Sequence, residues 1–96
     1  MIKHIVVIKF NEGKGAAEAQ ILGEKFAQLP AQIPEIKEFI FGADVLHTPR
    51  SYDYALVSLF ADSSALMRYQ QHPAHIPVLE YVRSIATSII VVDFAV

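Results

Sequence analysis

The chain contains no cysteine. Disulfides, thiolate metal sites and a thiol nucleophile are therefore excluded, while the redox compartment stays undefined. It also lacks a basic run and any interleaving of Lys or Arg with aromatic residues. Eight Lys+Arg stand against ten Asp+Glu, a formal charge of -2, so the electrostatic footprint of nucleic-acid binding is missing. Long apolar runs are missing too: Ile89-Ile90-Val91-Val92 is far short of the ~18 residues that a membrane helix needs. The start, Met1-Ile2-Lys3-His4, leads directly into a strand-like segment without the apolar core and cleavage site of a secretory signal, so a cytoplasmic location is expected.

What remains is a 96-residue chain in which 53% of residues are hydrophobic and only 19% charged. A single domain spanning residues 1–96 is expected. A domain of this size buries only about 60–70% of the surface its unfolded chain exposes. With a mean hydropathy of +0.35, the composition implies apolar surface that one copy cannot cover and a second copy can.

The pattern along the chain gives the elements. Lys3 to Phe10 is rich in Val and Ile and stops at the turn cluster Asn11–Gly15. Ala16 to Leu29 places Ala19, Leu22, Phe26 and Leu29 on one helical face and is expected to end against Pro30. Phe39 to Val45 reads as a second strand, with Gly42 marking a bulge or a close backbone approach. Asp53 to Ala61 alternates as a third strand, with Tyr54, Leu56, Ser58 and Phe60 on one face. Asp62 is a helix N-cap signal for a helix to about Gln71, and Pro73 fits the first turn of another from about Ala74 to Ser84. Ser88 to Phe94 closes the chain as a fourth strand. The order βαββαβ, with its second helix broken in two, is that of a ferredoxin-like α+β fold: a four-stranded antiparallel sheet with helices on one face.

Such a sheet should show apolar and polar residues in alternation if its far face met water. It does not. His4, Val6, Ile8 and Phe10 share one face of the first strand and Ile5 and Val7 the other, while Ile89 and Val91 oppose Ile90, Val92 and Phe94 in the last. The expectation is a homodimer built sheet against sheet.

Chemistry concentrates in Tyr69-Gln70-Gln71-His72-Pro73-Ala74-His75 and in His4. His75, Leu79, Val82 and Ala86 fall on one helical stripe that faces the sheet, Leu66 and Tyr69 do the same one helix earlier, and His4 alternates with Val6 and Ile8. Two imidazoles and a phenol thus converge on an apolar interior, a set suited to proton transfer beside a carbonyl. The alternative is that each is a core group satisfied by the backbone. His72 and His75 are spaced like a metal pair, but Pro73 interrupts their register and no third ligand is near in sequence. His47 reads as an exposed loop residue. Gly13 and Gly15 lack the spacing of a phosphate loop, and Asp53, Asp62 and Asp93 form no carboxylate pair.

Lys3-His4-Ile5-Val6 with Lys9-Phe10, Leu29-Pro30, Ile33-Pro34 before Gly42, Tyr52-Asp53, YQQHPAH over Tyr69–His75 and Val92-Asp93-Phe94 together resemble the stress-responsive α/β barrel domain (Dabb) family over nearly the whole chain. The resemblance implies a dimeric α+β barrel. It is similar, in its strand-one histidine and its Y-x-x-H-P-A-H segment, to a branch of plant polyketide cyclases that perform an intramolecular aldol condensation without a cofactor. That likeness implies His75 as general base, Tyr69 and His4 as orienting groups, and Phe26, His72 and Leu79 as binding residues for a small hydrophobic carbonyl ligand. Phe26 stands where that branch carries a substrate-binding tyrosine. Other members imply different roles: a non-catalytic, stress-linked or structural oligomer, or, by fold analogy, a cofactor-free monooxygenase. Some plant members imply a divalent metal near the dimer interface. No cofactor is expected.

Overall fold

The computed structural model describes residues 1–96. The elements run β1 (Ile2–Phe10), α1 (Ala16–Gln32), β2 (Glu38–Ala43), β3 (Tyr54–Phe60), α2 (Ser63–Gln71), α3 (His75–Ile85) and β4 (Ala86–Ala95). The strands form one sheet in the order β2-β3-β1-β4, every neighbour antiparallel. This is the ferredoxin-like α+β topology that the sequence pattern implies.

Period-two alternation explains which side chains meet the helices. Ile8 and Phe10 of β1 and Tyr54, Leu56 and Phe60 of β3 are buried against them. From above they receive Leu22, Phe26 and Leu29 of α1, Leu66 and Tyr69 of α2, and Val78, Val82 and Ile85 of α3. The Asp62 cap is present, its Oδ1 accepting from the Ala65 N–H at 2.8 Å.

The structure departs from the local pattern in several places. The first helix does not stop at Pro30 but runs on to Gln32. Proline there gives up its own N–H and crowds the Phe26 carbonyl, while Leu29 and Ile33 are both buried and joined by the Ile33 N–H to Leu29 C=O bond of 2.9 Å, so burial outweighs that local cost. Gly42 marks neither a bulge nor a close approach: it pairs with Ala55 in unbroken register, and β2 ends at Ala43, two residues before Val45. The irregularity of the sheet lies instead in β1, between Lys9 and Phe10. Finally, Pro73 precedes the last helix rather than opening it, and the buried stripe of α3 is Val78, Val82 and Ile85. His75 and Leu79 flank that stripe, and Ala86 already belongs to β4.

The far face of the sheet carries Ile40, Ile90, Val92 and Phe94 well exposed, at 66, 50, 61 and 42%. Ile5, Val7 and Val57 lie between them, half-buried.

Candidate active site

Between α3 and the β1–β4 half of the sheet lies a cavity of about 200 Å³. The sheet contributes Val6, Ile8, Leu56 and, at its β4 edge, Ile89 and Val91; α3 contributes Val78, Leu79 and Val82, and α1 contributes Phe26. Four polar residues join them: His4, Tyr69, Gln70 and His75.

Each polar group is placed by a local feature. His4 sits on the helix-facing side of β1 directly opposite Asp93 of β4, and its Nδ1 lies 2.5 Å from the Asp93 carboxylate oxygen. Tyr69, in the last turn of α2, is 1% exposed and wedged against Phe60 and Phe39, with ring centroids 4.8 and 6.2 Å away. His75 opens α3, and its Nδ1 lies 3.2 Å from the Gln70 backbone oxygen. The three rings stand in a row, His4 to Tyr69 at 6.2 Å and Tyr69 to His75 at 4.5 Å.

Hydrogen bonding defines what these groups offer. A carbonyl oxygen only accepts, so the neutral His75 ring carries its proton on Nδ1 and leaves the Nε2 lone pair free. Nε2 of His75, Nε2 of His4 and the Tyr69 hydroxyl bond to no protein group. Since no buried side-chain nitrogen or oxygen is left without a partner, these three atoms each keep some exposure, and their residues line the cavity. Burial, the dominant influence, pushes the His75 imidazole below its ordinary value; the Gln70 carbonyl opposes this, and His4 and His72 add to it. His75 is thus a neutral base at pH 7. Burial drives the Tyr69 phenol strongly upward, so it stays a protonated donor. An acceptor and a donor side by side in an apolar cavity can remove a proton from an acidic carbon and steady the oxygen beside it.

His75, Tyr69 and His4 therefore come together as the sequence implies, and Phe26 and Leu79 line the same cavity. His72 does not line it: its Nδ1 accepts from the Ala74 N–H at 3.0 Å, which shapes the turn between α2 and α3. His47 is exposed in the β2–β3 loop. No three His, Asp or Glu side chains converge as a metal set would, and the Nδ1 atoms of His72 and His75 are both engaged by backbone groups. The residue that sequence reasoning misses is Asp93. Its signal is the β1–β4 register, which no local pattern reveals and which sets Asp93 across from His4.

The chain is thus a ferredoxin-like α+β domain whose apolar cavity bears a His–Tyr–His row. Residues 2–96 match the model of the Stress responsive A/B Barrel Domain (Dabb), and the chain belongs to that family. It is similar to an uncharacterised protein of Streptomyces coelicolor, 36% identical over 94% of this chain and 95% of that one. The stress-response A/B barrel domain-containing protein HS1 of Arabidopsis thaliana is 27% identical over 97% and 87% of the two chains. Olivetolic acid cyclase of Cannabis sativa is 24% identical over 97% and 94%. Among solved structures, a dimeric ferredoxin-like protein of unknown function from Thermobifida fusca has a TM-score of 0.90 at 29% identity, covering 99% of this chain and 90% of that one. A hydroxynitrile lyase from Passiflora edulis has a TM-score of 0.85 at 16% identity over 99% and 92%, a likeness of fold alone.

Proposed function

We propose that this protein is a homodimeric, cofactor-independent acid/base catalyst acting on a small, largely apolar ligand that bears a carbonyl group. The observation that carries this reading is the His75 ring, whose Nε2 bonds to no protein group and which lines an apolar cavity beside Tyr69, whose hydroxyl is also unpartnered. Nε2 takes a proton from the carbon next to the carbonyl, and the Tyr69 hydroxyl donates to the oxygen on which negative charge gathers. His4, oriented by Asp93, presents a second ring nitrogen on the same side. The resulting carbanion equivalent either adds to a second carbonyl, as in an aldol cyclisation, or is reprotonated by His75. A relative that is a cyclase by name supports the carbonyl chemistry. Phe26, without a hydroxyl, argues for a ligand that is apolar where it meets α1. At about 200 Å³ the cavity is below the ~300–1,000 Å³ typical of drug-sized ligands, which favours a single ring or a short chain.

The far face of the sheet supports the homodimer: exposed Ile40, Ile90, Val92 and Phe94, joined across the sheet by half-buried Val57, Ile5 and Val7, make that face apolar, and the similar Thermobifida protein is dimeric.

The test is exchange of the protons next to the carbonyl of a small aryl ketone in D₂O, followed by NMR. The wild-type protein should accelerate exchange, and His75→Ala should lose about 10²–10⁴-fold of that acceleration. Equal rates with and without wild-type protein, across a panel of aryl ketones and β-dicarbonyls, would remove the catalytic reading.

A further inference from the structure

The cavity has one wall that its own chain leaves open. Ile89 and Val91 line it from β4, an edge strand, yet they are 37 and 48% exposed. Packing two sheets face to face covers the other side of β4, where Ile90, Val92 and Phe94 point, and does nothing for Ile89 and Val91. β4 is also ten residues long, contains neither Lys nor Pro, and presents an unpaired backbone edge, an arrangement that proteins normally cover.

A second apolar feature is equally unpartnered. The loop between β2 and β3 exposes Val45 and Leu46 at 82 and 77%. That loop is firmly built. The Asp44 N–H donates to the Asp53 carbonyl at 2.9 Å, the Asp44 carboxylate accepts from the His47 N–H at 2.7 Å, and the Ser51 N–H donates to the Thr48 carbonyl at 3.0 Å. His47 is held at φ +54, a left-handed conformation that costs a residue with a side chain about 1–2 kcal/mol. The chain thus spends its local bonding on presenting two apolar side chains to water.

Within one protomer the two features do not meet. The β2 and β4 edges are three strand spacings apart, about 14 Å. They do lie at the same end of the sheet: Ile8 of β1 pairs on one side with Tyr54, where the loop enters β3, and on the other with Ile89. Because β2 runs parallel to β1 and β4 runs against it, a two-fold axis along the strands sets the partner subunit's β2 antiparallel beside β4. That closes two open sheets into a barrel. It also delivers the partner's loop to the beginning of β4. A two-fold axis across the strands would instead place β4 against its own copy and leave Val45, Leu46, Ile89 and Val91 all in water. Burial of these four side chains decides for the first arrangement.

We propose that the pocket is completed in trans: Val45 and Leu46 of the partner subunit cover Ile89 and Val91 and form the missing wall. This rests on the homodimer of the preceding section but on none of its chemistry. It makes the loop a determinant of ligand size and couples ligand binding to dimerisation.

The absence of native cysteine permits a direct test. Two double variants, Val45→Cys/Ile89→Cys and Leu46→Cys/Ile89→Cys, are oxidised mildly and run on a non-reducing gel, beside the three single variants. Disulfide geometry requires Cα atoms within about 7 Å. A covalent dimer from at least one double variant, with none from the singles, is the expected result. No covalent dimer from either double variant, while sedimentation shows dimers, would overturn the trans wall and leave the catalytic reading standing. A covalent dimer from Ile89→Cys alone would overturn it in favour of β4 meeting β4. Sedimentation of the wild type as a monomer would overturn both the trans wall and the homodimer, again without touching the pocket chemistry, which the exchange assay tests separately.

Discussion

A histidine acts as a base only through a ring nitrogen with a free lone pair, and at His75 the Gln70 carbonyl decides which nitrogen that is. Burial then lowers its affinity for protons relative to the ordinary value of 6.5. The sign of the pH dependence follows. The unfolded chain takes up this proton at a higher pH than the folded one, so the contribution to stability is complete above about pH 6.5 and is lost as pH falls through the lowered folded value. The acid limb of ketone exchange should accordingly lie below pH 6.5, and His75→Gln should remove that limb. A limb at or above 6.5 would mean that another group titrates. Tyr69→Phe keeps the wedge against Phe60 while deleting the donor, and should slow exchange at least about tenfold with little change in urea midpoint. Asp93 behaves differently, because it holds His4 rather than touching the cavity. Asp93→Ala strands Nδ1 of a residue only 5% exposed and should cost about 1–3 kcal/mol in urea unfolding, with Asp93→Asn recovering part of it. Equal stability of all three chains would show that the pair does not hold His4.

At the scale of elements, the parts of the molecule ruled by local periodicity are those that a sequence displays. The helical face of Leu22, Phe26 and Leu29, the alternation of Tyr54, Leu56, Ser58 and Phe60, and the Asp62 cap were all legible, because each depends on neighbours within a few residues. Where tertiary contact competes with a local rule, the local rule loses. Pro30 signals a helix end, yet the buried pair Leu29 and Ile33 carries the helix past it. The stripe of α3 turns by about one residue from its expected course, since Val78 and Ile85 meet the core and His75 and Leu79 are left to line the cavity. Proximity of His4, Tyr69 and His75 could be read from parity and helical spacing. The His4–Asp93 pair could not, because it depends on strand register across 89 residues of chain. The cap offers a direct check: Asp62→Ala leaves the Ala65 N–H without its acceptor and should destabilise the protein by about 1 kcal/mol. An unchanged urea midpoint would mean that α2 is held by Leu66 and Tyr69 alone.

For the whole molecule, the governing fact is that one layer of helices covers one face of a sheet that is apolar on both. Val7 lies on the uncovered face between Ala55 and Ile90. Val7→Glu should shift the protein from dimer to monomer in sedimentation velocity at micromolar concentration without altering the helix-side core, and an unchanged mass would argue against packing through this face. The cavity lies on the covered face, between α3 and the β1–β4 half of the sheet. Whether His75, Tyr69 and His4 form a working proton-transfer site is decided by a crystal structure with a small aryl β-dicarbonyl diffused into it. The expected result is the ligand in the cavity, with an acidic carbon or carbonyl oxygen about 2.6–3.2 Å from His75 Nε2 or one water away, and the Tyr69 hydroxyl on the carbonyl oxygen. A cavity filled by its own side chains, with the three polar groups bonded only to protein, would contradict it.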